Sequence, residues 1–169
     1  MYKSHEIIKG CVPIKTLPGA YDEKDEAETL VITMKEESCD LLLKLYYTVF
    51  EKSNVITRRA VLINNAHTSV SLRRFMSMSV DIPDEGFYML TLDGGWIKES
   101  HKTVRPIEYG MLVNSSTTGS SSNRHNPGFI LYDKHCCEKS GRAWGFNLVY
   151  SGNHLGTVEK SNADLVRVQ

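Results

Sequence analysis

Apolar and polar residues alternate along much of this chain. In 41–50 one face reads Leu41, Leu43, Leu45, Tyr47 and Val49. In 70–80 one face reads Val70, Leu72, Arg74, Met76, Met78 and Val80, and the other reads Ser71, Arg73, Phe75, Ser77 and Ser79. In 144–150 one face carries Trp144, Phe146, Leu148 and Tyr150. Successive side chains of a strand point to opposite sides, so a period of two predicts half-buried strands. Further strands are predicted over 30–34, 56–64, 88–92, 107–113, 129–132 and 155–159. The separators are turn formers, among them Glu51-Lys52-Ser53-Asn54, Pro83-Asp84-Glu85-Gly86, Asp93-Gly94-Gly95 and Ser151-Gly152-Asn153. No stretch carries a helical period. Many short strands, each with one polar face, predict an all-β protein of antiparallel sheets, a sandwich or a barrel.

Composition narrows the partners. The 169 residues suit one domain, or part of one larger β domain, and 41% hydrophobic residues suffice for a core. Lys and Arg number 20, and so do Asp and Glu. A chain of zero formal charge offers no basic surface to a phosphate backbone or an anionic membrane, so neither nucleic acid nor membrane is expected as a partner. The polar start and the lack of a long apolar run predict a cytoplasmic protein. The closing run Leu165-Val166-Arg167-Val168-Gln169 is strand-like and suggests a piece of a longer protein. The acidic run in 22–28 reads as a solvated loop.

Candidate chemistry is sparse. The sequence has no phosphate-binding glycine loop, no Cys-x-x-Cys and no His-Glu-x-x-His, so no cofactor or metal is expected. His135-Cys136-Cys137 is a poor metal motif, because neighbours on a strand diverge. Asp81, Asp84, Asp93 and Glu99 lie near strand ends and read as turn residues rather than as a catalytic carboxylate pair. The most distinctive segment is Ser120-Ser121-Ser122-Asn123-Arg124-His125-Asn126-Pro127. Ser121, Ser122, His125 and Asn126 can hydrogen-bond sugar hydroxyls, or can satisfy one another in a turn whose exit Pro127 fixes. Trp96 follows two glycines and is a candidate for a ligand or partner surface, whereas Trp144 shares an apolar face and reads as core.

Several stretches resemble one family. They are Asp25-Glu26-Ala27-Glu28-Thr29-Leu30, Tyr47-Thr48-Val49-Phe50 and Val55-Ile56-Thr57-Arg58, then Ser121-Ser122 before His125-Asn126-Pro127, then Trp144-Gly145-Phe146 before Tyr150-Ser151-Gly152-Asn153. In order and spacing they are similar to the amino-terminal domain of glycoside hydrolase family 36 α-galactosidases. The resemblance implies a β-supersandwich, a galactose-mutarotase-like antiparallel fold, of which residues 1–169 would be a fragment. A catalytic (β/α)8 barrel would follow in the parent chain. It implies a non-catalytic structural and interaction role in an enzyme cleaving terminal α-galactosides of the melibiose or raffinose type. The partners implied are that barrel, further copies of the chain and, in the parent, the sugar. The family's Lys-Trp-Asp and Gly-Gly-Arg-x-Asp motifs, which hold its catalytic aspartates, do not occur here. The family pattern has Phe directly after the loop proline, whereas Gly128 separates Pro127 from Phe129 here. The alternative is a free-standing carbohydrate-binding module using Trp96 and the polar loop.

Cys11, Cys39, Cys136 and Cys137 have no disulfide-like spacing and are expected to be reduced. Titration of denatured, unreduced protein should count four thiols; two or fewer would reveal a bridge.

Overall fold

The computed structural model describes residues 1–122 and 124–169. Among them there is no helix, and every strand pairing is antiparallel, as the alternation predicts. The chain divides into two compact units, Met1–Met78 and Ser79–Gln169.

The first unit is a four-stranded meander of β1 (Tyr2–Lys9), β2 (Ala27–Glu36), β3 (Leu41–Phe50) and β4 (Val55–Asn64) in sequence order. The turn predicted over Glu51-Lys52-Ser53-Asn54 joins β3 to β4, with Asn54 at φ 52°, a conformation that asparagine tolerates well. Ala27, Thr29, Val31, Thr48 and Phe50 share one face and are buried. Thr29 and Thr48 stand opposite each other in register, and their hydroxyls meet at 2.8 Å. Thr29 Oγ1 also donates to the Gly10 carbonyl at 2.7 Å, so the polar pair leaves no unmet group in the core. The acidic run is more than a solvated loop. Asp22 accepts the N–H groups of Glu26 and Ala27, while Glu26 accepts the Lys52 N–H and the Ser53 hydroxyl. These carboxylates cap turns and tie the run to the β3–β4 connection.

The second unit holds β5 (Val80–Pro83), β6 (Tyr88–Gly95), β7 (Lys98–Pro106), β8 (Gly110–Ser116), β9 (His125–Tyr132), β10 (Ala143–Asn147), β11 (His154–Lys160) and β12 (Leu165–Val168). They form two sheets, β10-β9-β6-β7 and β5-β12-β11-β8. Phe87 just before β6, Met89, Phe129 and Leu131 from the first sheet, and Val158, Val166 and Val168 from the second are buried. Each such side chain contributes about 1.5–3 kcal/mol when fully buried. The sheets approach closely: a Cβ at Gly156 of β11 would lie 3.0 Å from the Phe129 ring on β9. Trp144 meets Phe87 edge-on at 5.0 Å and Phe146 stacks on Phe129 at 5.4 Å, which gives Trp144 the packing role that its alternation implied.

Three sequence expectations fail for one reason. Of the alternating run 70–80, only Val80 lies in a strand; the backbone of 65–79 finds no ladder partner, and Val70, Leu72 and Phe75 stay exposed. The run 144–150 stops pairing at Asn147, apart from the Leu148 N–H to the Pro127 carbonyl. Conversely β7, polar apart from Val104 and Pro106, is a strand because it lines β6 as an edge, where Lys98 and Lys102 are exposed and Arg105 is half-buried.

Among the described residues, His154 and Arg105 Nε are buried without a hydrogen-bond partner. His154 is 7% exposed, and neither ring nitrogen has a hydrogen-bond partner among the described residues. Burial pushes its pKa down, and nearby His125 pushes it further. As pH drops below about 6.5, the unfolded chain takes up a proton that the folded imidazole resists, so stability falls until the lowered folded pKa is passed. Urea midpoints measured from neutral pH to about pH 5 should fall in the wild type and fall less in His154→Gln. Equal slopes would show that His154 does not set this sensitivity.

Candidate functional site

The polar loop sits at one rim of the second unit, where β6 ends and β9 begins. The β6–β9 ladder pairs Met89 with Leu131 and Thr91 with Phe129, then shifts and resumes with Asp93 opposite His125. Between these pairs one residue of β6, Leu92, faces three of β9. The surplus falls at Asn126-Pro127-Gly128, where Pro127 needs no N–H partner and Asn126 Oδ1 accepts the Gly128 N–H at 3.0 Å. Gly128 therefore lies inside the bulge that aims His125.

His125 Nδ1 lies 3.1 Å from Asp93 Oδ1. Burial opposes ionisation of Asp93, yet hydrogen bonds from Thr91, Thr103 and His125 outweigh it and hold the carboxyl below its usual range. Thr91 donates to Oδ2 at 2.7 Å. Asp93 is therefore a buried-side anchor for an exposed imidazole, not the turn residue that its Asp-Gly-Gly setting suggested. Of the other carboxylates near strand ends, Asp81 pairs with Arg167, Asp84 pairs with Lys160 and accepts the Gly86 N–H, and Glu99 accepts the Ile97 N–H.

The described residues of the loop are held by hydrogen bonds among themselves and to the neighbouring segments around Asn114 and Ser151. Ser121 N–H donates to the Ser151 carbonyl at 2.7 Å, and the Arg124 N–H donates to Ser122 Oγ at 3.1 Å. Gly119 N–H reaches Asn153 Oδ1 at 2.7 Å, and Asn114 Nδ2 donates to the Asn126 carbonyl at 2.8 Å. Ser121 and Ser122 are half-buried, while His125 and Asn126 are exposed. Asn123, named with them from the sequence, lies outside the described residues. Gly94 N–H donates to the Arg124 carbonyl at 3.1 Å, so the β6–β7 hairpin is joined to the loop.

Trp96 and Ile97 form the tip of that hairpin, 85% and 72% exposed. Ile97 adopts φ 62°, a left-handed conformation that is unfavourable for a β-branched residue. Gly94 can carry no side chain, because a Cβ there would lie 1.9 Å from the Lys98 carbonyl oxygen. The structure thus brings Ser121, Ser122, His125 and Asn126 to one rim and puts Trp96 just beyond Asp93 on the adjoining hairpin. Sequence reasoning missed His154, which enters β11 opposite Ser116, because only strand register reveals that neighbour.

Chemically the rim is a hydrogen-bonding surface. The Asp93–His125 bond engages Nδ1 of the exposed imidazole, and Ser122 Oγ accepts from backbone. Among the described residues, no group of three or more His, Cys, Asp or Glu side chains is placed to hold a metal ion, and no helix is long and apolar enough to cross a membrane.

Known proteins share this architecture. The α-galactosidase AgaA of Geobacillus stearothermophilus is 39% identical over 168 residues, 99% of this chain and 23% of its own length. Alpha-galactosidase 2 of Hypocrea jecorina is 36% identical over 166 residues, 98% of this chain and 22% of its own length. The AgaA crystal structure superposes with a TM-score of 0.94, and a variant of it has been solved in complex with raffinose. The chain spans less than a quarter of the length of these relatives. The profile of the glycosyl hydrolase family 36 N-terminal domain matches residues 1–169 throughout, and the chain belongs to that family.

Proposed function

We propose that this chain is a non-catalytic structural and interaction domain, within residues 1–169, of a cytoplasmic α-galactosidase. That enzyme hydrolyses terminal α-galactosides of the melibiose or raffinose type. Its catalytic barrel lies in another part of the parent chain, and its subunits associate. The observation that carries this reading is the TM-score of 0.94 at 39% identity to AgaA, an α-galactosidase whose variant binds raffinose. Support for a non-catalytic role comes from charge pairing. Retaining glycosidases need two free carboxyl groups about 5–5.5 Å apart. Here Asp81, Asp84, Glu85 and Asp93 are each committed to a cation, an imidazole or a backbone amide.

The contact surface for the barrel or a neighbouring subunit is the rim of Ser121, Ser122, His125 and Asn126, with Trp96 beside it. A tip that keeps Ile97 in a disfavoured conformation while exposing Trp96 is strained for a purpose other than folding. The same exposure favours a second reading, a carbohydrate-binding module. Calorimetry of the isolated chain with raffinose separates the two: heat of binding supports the module, silence supports the interaction domain.

The isolated chain should show no turnover of a chromogenic α-galactoside; activity that survives repurification would overturn the non-catalytic assignment. Ile97→Gly should stabilise the isolated chain by about 1 kcal/mol by relieving left-handed strain. Trp96→Ala should leave its melting temperature unchanged and His125→Ala should cost at most about 1 kcal/mol, the bond to Asp93 being solvent-screened. In the parent enzyme, Trp96→Ala and His125→Ala should impair activity or assembly. A parent that keeps both, while His125→Ala collapses the isolated chain, would reduce the loop to a structural turn.

A further inference from the structure

The β9–β10 hairpin carries two adjacent thiols that the rim does not use. Its base is braced by Asp133 and Arg142: the Asp133 N–H donates to the Arg142 carbonyl at 3.1 Å, and the Arg142 N–H donates to Asp133 Oδ2 at 3.0 Å. Arg142 also pairs with Glu85 and lies over Trp144. On this fixed base, Cys137 and Ser140 close a tight turn, with Cys137 N–H to the Ser140 carbonyl at 2.8 Å and Ser140 N–H back at 3.3 Å. Cys137 is exposed and its sulfur lies 3.2 Å from Ser140 Oγ. Cys136 is half-buried, with Gly141 at φ 94° so close that a Cβ there would lie 2.6 Å from the Cys136 Cα.

We propose that Cys136 and Cys137 form a reversible redox site that exchanges with small-molecule disulfides of the glutathione type. The attacking sulfur is Cys137. The Ser140 hydroxyl, then the Lys139 and Ser140 amides, bring its pKa down, and the thiolate is the nucleophile. Cys137 loses its proton to solvent and attacks one sulfur of RS–SR. The S–S bond breaks, a Cys137–S–SR bond forms, and RS⁻ leaves and takes up a proton. Cys136 then loses its proton and attacks the Cys137 sulfur, expelling the second RS⁻. The pair is oxidised by two electrons and the small disulfide is reduced to two thiols.

The product is strained. Adjacent Cα atoms across a trans peptide are about 3.8 Å apart, below the roughly 4.4 Å at which ordinary disulfides begin. Strained and exposed disulfides are the easily reduced ones, so the bridge reopens when small thiols return. Closing it also disturbs the Cys137–Ser140 turn, so the hairpin tip changes shape with its oxidation state. Cys39 is a second exposed thiol, with Ser38 Oγ at 3.5 Å, and serves as an internal comparison.

The test is incubation of the native chain with glutathione disulfide, followed by peptide mapping. The wild type should yield a Cys136–Cys137 bridge within one peptide, reversed by reduced glutathione. Cys136→Ser should stop at a mixed disulfide on Cys137, and Cys137→Ser should leave Cys136 free. Ser140→Ala should slow the first step several-fold and raise the pH midpoint of its rate, while Cys39 labels at an unchanged rate. The proposal is overturned if Cys39 reacts faster than Cys137, if Ser140→Ala changes neither rate nor midpoint, or if the wild type stops at the mixed disulfide as Cys136→Ser does.

Discussion

The second unit depends on the register between β6 and β9. Phe129 and Leu131 reach the core only because they stand opposite Thr91 and Met89, and a slip of one residue would turn both outward. The same register, carried through the bulge at Asn126-Pro127-Gly128, sets His125 against Asp93. Packing and the polar rim are therefore fixed by one ladder. The β10 strand extends it, and the rings of Trp144 and Phe146 lock its far side onto Phe87 and Phe129.

Much of the fold was legible because alternation reports which face of a strand is dry. Leu41–Phe50 is a strand with the bounds that its pattern implies, and the predicted strands around 30–34, 56–64 and 155–159 lie inside longer ones. Alternation says nothing about whether a backbone finds a partner. That is why 70–79 misled and why β7, with almost no apolar side chain to declare it, was overlooked. The candidate site was half legible. Ser121, Ser122, His125 and Asn126 are neighbours in sequence, so their clustering needs no fold. Asp93 and His154 come to His125 from other strands, and only register supplies such pairings.

Polar groups in the two units follow different rules. Thr29 and Thr48 satisfy each other inside the meander, and the acidic run is spent on backbone amides. His154 is left without a partner in the sandwich beside an imidazole that is already anchored. An unpaired buried polar group costs about 1–3 kcal/mol. At the rim the fold gives up stability in two places, in His154 below the surface and in Ile97 above it.

The two margins of the β10-β9-β6-β7 sheet are unequal. Lys98, Lys102 and Arg105 crowd one margin, while the β10 margin carries Ala143, Trp144, Gly145, Phe146 and Asn147 without a charge. Growth of this sheet therefore has a direction. A strand grafted by a protein engineer, or one recruited in misassembly at high concentration, would add beside β10 and be repelled by β7, so solubility engineering of this domain should begin with a lysine on β10.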